Sequence, residues 1–74
     1  MDYKGDALSL LGKRIAELRQ ERQMTIDTLA ARTGLDPTEL AVMEAGRIDI
    51  PITTIFLLSR AFGITVDQFL SFLP

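Results

Sequence analysis

The chain contains neither cysteine nor histidine. The first absence rules out disulfide staples, and the two together remove the usual zinc ligand sets, so stability has to come from packing. Nothing approaches the roughly 18 uninterrupted apolar residues of a membrane span. The most apolar stretch, Ile50 to Ile64, is broken by two threonines, Ser59 and Arg60 and reads as a buried helix. The opening Met1-Asp2-Tyr3-Lys4-Gly5 lacks the apolar centre of a signal peptide, and with no cysteine to be oxidised a cytoplasmic location fits. Strand-like alternation, internal repeats and low-complexity tracts are missing as well, which leaves an all-α class. There is no paired-carboxylate cleft and no Gly-rich phosphate loop, so the chain reads as no enzyme and no cofactor is expected. A basic excess is also absent: eight Lys and Arg against ten Asp and Glu give a net charge of -2. Such an excess is what usually supplies affinity for a phosphate backbone.

What is present is a 74-residue chain in which 47% of residues are hydrophobic. That length suits one domain near the lower limit for a self-sufficient core, and so high an apolar content in so small a body suggests self-association. Residues 1–6 read as a tail and 7–74 as the domain. Asp6 is placed to cap a first helix whose apolar residues Leu8, Leu11, Ile15 and Leu18 recur at helical steps to about Gln23. Thr25 caps a second helix carrying Ile26, Leu29 and Ala30, which stops at Gly34. Asp36, with Pro37 in the first turn and Glu39 three residues after the cap, opens a third, whose stripe is Leu40 and Met43 and whose end is Ala45-Gly46. Pro51 begins a fourth with Ile52, Ile55, Leu58 and Phe62, and Phe56 and Leu57 widen its apolar face. Gly63 ends it, and Thr65 with Gln68 forms a capping box before Val66, Phe69, Leu70 and Leu73.

Two short helices joined by the tight Gly34-Leu35-Asp36 turn are what a helix-turn-helix requires, here spanning 25–46. An ordinary hairpin inside a helical bundle shares those caps. The residues add more: Leu11-Gly12-Lys13-Arg14-Ile15, Leu18-Arg19, Leu29-Ala30, Thr33-Gly34-Leu35, Glu44-Ala45-Gly46-Arg47 and Leu58 through Gly63-Ile64 follow in order. From Leu11 to Leu70 the chain resembles the Cro and phage-repressor type of helix-turn-helix domain, the XRE family. That resemblance implies a five-helix lambda-repressor-like fold and a sequence-specific regulator that binds double-stranded DNA, commonly as a homodimer on a palindromic operator. It also implies a buried ion pair between Arg19 and Glu44, with a structural role.

Carried onto this chain, the DNA-facing positions fall on Thr25, Ile26, Pro37, Thr38, Glu39 and Val42, with Arg47 as a phosphate contact. The third helix departs from the family pattern in offering no Arg, Lys, Asn or Gln for base edges. Thr38 has one polar contact to give, and Val42 suits a thymine methyl. Asp36 and Glu39 serve first as helix-start acids, with the side effect of facing phosphate. Lys13, Arg14, Arg22 and Arg32 read as solvated-face charges. Phe56, Leu57, Phe69, Phe72 and Leu73 exceed the needs of one small core and are expected at a twofold interface, unless Phe72 and Leu73 fold back on their own chain. The alternative function is a protein-interaction module in which the face of Pro37, Glu39 and Val42 meets a protein partner.

Overall fold

The computed structural model describes residues 3–73 and contains five helices, with no strand among those residues. Helix α1 (Tyr3–Glu21) packs on α3 (Pro37–Glu44) and α4 (Ile52–Phe62); α2 (Ile26–Thr33) packs on α3 and α4; the single turn of α5 (Val66–Phe69) closes against α4. One contiguous core joins all five through Ile15, Leu29, Leu40, Leu58 and Phe69, each fully buried. Phe62 and Phe69 stack at its carboxyl-terminal end with ring centroids 6.5 Å apart.

The caps explain where the elements start and stop. Thr25 Oγ1 accepts from Thr28 N at 3.0 Å, and Asp36 Oδ1 accepts from Thr38 N at 2.7 Å and Glu39 N at 3.2 Å. In α5 the capping box is reciprocal, Gln68 N to Thr65 Oγ1 at 3.0 Å and Thr65 N to Gln68 Oε1 at 2.9 Å. Gly34 takes the left-handed conformation, φ 77°, that lets α2 stop and the chain swing into α3. Gly12 has a different task, because a Cβ there would collide with the carbonyl oxygens of Met43 and Glu44. Its missing side chain lets α1 lie directly on the end of α3.

The boundaries of α1 differ from the expectation at both ends. The helix starts at Tyr3, so residues 3–6 are part of it and Asp6 lies within its first turn instead of capping it. It ends at Glu21, where Gln23 turns left-handed at φ 56° and Met24 N bonds back to Arg19 O at 3.1 Å. Among the described residues no helix is long and apolar enough to cross a membrane.

Candidate nucleic-acid interface

Helix α3 is anchored along one side. Leu40 and Met43 are buried, and Glu44 leaves that side to meet Arg19 of α1 in a two-pronged pair, Nε to Oε2 at 2.8 Å and Nη2 to Oε1 at 2.9 Å. The third prong of the guanidinium, Nη1, donates to Met24 O at 2.9 Å, so Arg19 ties α1, the approach to α2 and the end of α3 together. The hydrogen bond to Glu44 raises the Arg19 pKa above its ordinary value against the opposing effect of desolvation. This cluster positions α3; it does not face outward.

The opposite side of α3 is open. Residues advance by about 100° along a helix, so Thr38, Ala41, Val42 and Ala45 fall opposite Leu40 and Met43, with Pro37 and Glu39 on the two flanks. Pro37, Thr38, Glu39, Ala41 and Ala45 are exposed and Val42 is half-buried. Thr25 and Thr28, with hydroxyls 2.9 Å apart, are exposed at the start of α2. Arg47 is exposed just past the end of α3. One expectation changes here, and the capping role expected of Asp36 holds. Ile26 is half-buried and packs against the core, which leaves Thr25 and Thr28 as the accessible groups at that turn. The Asp36 carboxylate is turned onto backbone amides of its own helix, which leaves Glu39 as the acid on the flank of the open side.

The cations divide into two groups that sequence alone left mixed. Arg14 donates to Phe69 O and Gln68 O, both at 2.9 Å, and its guanidinium lies 5.9 Å from the centroid of Phe72. Arg22 donates to Phe62 O and Leu18 O, both at 3.0 Å, and lies 5.3 Å from the Phe62 ring. These arginines cap the ends of α5 and α4, so the reading of both as solvated-face charges is corrected. Lys4 pairs with Asp49 at 3.2 Å in the open. Lys13, Arg32, Arg47 and Arg60 are exposed and, among the described residues, have no ion pair.

The apolar residues expected at a twofold interface also separate. Phe69 is fully buried in its own core and has no surface to offer a partner. Phe72 is half-buried beneath Arg14, folded back on its own chain. Phe56, Leu57 and Leu73 remain exposed, at 59%, 40% and 43%, and Ile52 at 60% joins them. Ile52 and Leu73 border an apolar groove of about 280 Å³ whose floor includes Leu11, Ile50, Ile55 and Leu70.

The helix-turn-helix family model HTH_3 matches residues 15–69. A protein of Sinorhizobium fredii (strain NBRC 101917 / NGR234) named as an uncharacterized HTH-type transcriptional regulator, y4dJ, is 32% identical over 60 residues, 81% of this chain and 78% of that one. The restriction-modification controller protein C.AhdI from Aeromonas hydrophila has the same fold at a TM-score of 0.83 and 28% identity, covering 86% of this chain and 97% of that one. The clp gene regulator ClgR from C. glutamicum shares the fold at a TM-score of 0.81 and 23% identity, over 86% of this chain and 83% of that one. The family match runs from the core of α1 to the end of α5 and takes in both helices of the open face, and on that ground the chain belongs to the helix-turn-helix family of XRE, or Cro-type, transcriptional regulators.

Proposed function

We propose that the chain is a homodimeric, sequence-specific DNA-binding regulator of transcription acting in the cytoplasm, with helix 36–45 inserted in the major groove of a palindromic operator. The observation that carries this reading is the open side of α3, exposed from Pro37 to Glu39 and again at Ala41 and Ala45, on a helix fastened along its other side by Leu40, Met43 and the Arg19–Glu44 pair. A helix about 10–12 Å across fits a major groove about 12 Å wide. Thr25 and Thr28 flank the entry, and Arg47 and Arg32 supply phosphate contacts from the edges.

Dimerisation runs through the exposed apolar side chains of α4 and the carboxyl-terminal turn, Ile52, Phe56, Leu57 and Leu73. In such a dimer the two α3 helices sit about 34 Å apart, one turn of duplex. Because each protomer presents few unpaired cations, a second copy contributes the doubling of phosphate contacts that a net charge of -2 makes necessary. A second reading, in which the same face binds a protein, draws on the lack of Arg, Lys, Asn and Gln along α3.

The deciding experiment is a selection of duplexes from a random pool at low salt, with the oligomeric state measured on the same sample. The regulator reading expects an inverted repeat bound by two copies, with affinity falling steeply as salt rises. Failure to enrich any duplex, together with tight protein capture that Val42→Arg abolishes, favours the second reading.

A further inference from the structure

The open ridge of α3 is Thr38, Ala41, Val42 and Ala45. Its outward groups are three kinds of methyl and one hydroxyl. The acids that border it stand elsewhere: the Asp36 carboxylate is held by Thr38 N and Glu39 N, Glu44 is held by Arg19, and Glu39 lies on a flank. A ridge of this kind has almost no means of reading the hydrogen-bonding pattern of a base pair. It does have the means to read the one apolar feature of the major-groove edge, the C5 methyl group of a pyrimidine. Small side chains also let the helix backbone approach the base edges closely, which brings those methyls into van der Waals range.

We infer that this protein recognises its half-site chiefly through pyrimidine C5 methyl groups seated against Thr38, Ala41 and Val42, with Val42 as the specificity-determining contact. The inference rests on the regulator reading above and goes beyond it by naming what is read. Thymine is the ordinary source of that methyl; 5-methylcytosine presents the same group at the same place on the ring.

The test starts from duplexes selected at low salt from two pools, one ordinary and one copied with 5-methylcytosine. Each thymine in an enriched half-site is replaced symmetrically by uracil, which removes only the methyl, and dissociation constants are measured by fluorescence anisotropy at fixed salt. Burying one methyl is worth about 0.8 kcal/mol, or about fourfold, so a symmetric pair in a dimer site is expected to lose about 15-fold at one or more positions. Val42→Ala is expected to bind the unmodified duplex about as weakly as the native protein binds that uracil duplex. Uracil at the same position is then expected to change the variant's affinity less than twofold, the non-additivity that marks a direct contact. Circular dichroism confirms that the variant is folded. Sensitivity to uracil with none to cytosine methylation names thymine as the source, and the reverse names 5-methylcytosine. A duplex that is bound specifically yet tolerates every uracil and every change of cytosine methylation within twofold overturns the inference while leaving the regulator reading intact. Specificity displaced by Glu39→Gln under those conditions assigns the reading to the flank instead. Enrichment of no duplex at all overturns both.

Discussion

Glu44→Ala isolates what holds the exposed helix in place. The Arg19 and Glu44 side chains retain only 14% and 10% of their exposure, and two of the three guanidinium hydrogen bonds go to the carboxylate. Removing one member of a pair this buried leaves a largely desolvated charge without its counter-ion, a loss of about 3–5 kcal/mol. The low end applies here because Met24 O still receives Nη1. A chain of 74 residues has a total stability of about 4–11 kcal/mol, so a loss of about 3 is a large fraction of it. At about 4–8 °C per kcal/mol the melting temperature falls by roughly 12–24 °C. The assay is urea and thermal unfolding followed by circular dichroism at one fixed protein concentration, since the proposed dimer would make apparent stability depend on it. Replacing both partners with apolar residues, Arg19→Met with Glu44→Leu, is expected to recover stability to within about 1 kcal/mol of the native chain. A loss below about 1 kcal/mol in Glu44→Ala is the behaviour of an exposed pair and refutes the claim that this contact fastens α3 to α1.

Three other outcomes follow from the same geometry. Gln23→Gly is expected to stabilise the fold by about 0.5–1 kcal/mol in urea titration, because position 23 has φ 56° and glycine enters that region without the Cβ penalty. Phe56→Arg places a charge on a side chain that is 59% exposed, so sedimentation equilibrium is expected to show a dimer converted to monomer with unchanged helix content. Arg47→Ala is expected to weaken all duplexes alike and to lower the slope of log affinity against log salt by about 2 per dimer, one phosphate contact for each protomer.

The helix starts were legible because their signals are local. Thr25, Asp36 and the Thr65–Gln68 box lie within three residues of the amides they serve. The work of Arg14 and Arg22 was not legible, since their acceptors are carbonyls of Phe69, Gln68 and Phe62, 40 to 55 residues away, and a carbonyl has no side-chain signature. Periodicity shows that Phe69 belongs to an apolar face, yet it cannot say whose core covers that face; the fold buries it in its own chain. The start of α1 differs because Asp6 has the chemistry of a cap, whereas the structure carries the helix through it. On the open side of α3 the family resemblance pointed to Pro37, Thr38 and Val42, while Ala41 and Ala45, which share that side, carried no signal in the sequence. What the sequence could not show was that Ile26, at the first turn of α2, packs against the core and leaves Thr25 and Thr28 as the exposed groups there.

Helix α1 grips both halves of the molecule: Arg19 holds the end of α3, and Arg14 holds the end of α5 beside the exposed apolar residues proposed to meet a second copy. In a dimer built on that surface, the distance between the two groove-seated helices is set by one stiff strut per protomer. Such a protein measures its target as a caliper does. Adding a single base pair between half-sites shifts one of them by about 3.4 Å and turns it by about a tenth of a revolution, and a gauge of fixed opening meets that change by letting go of one side.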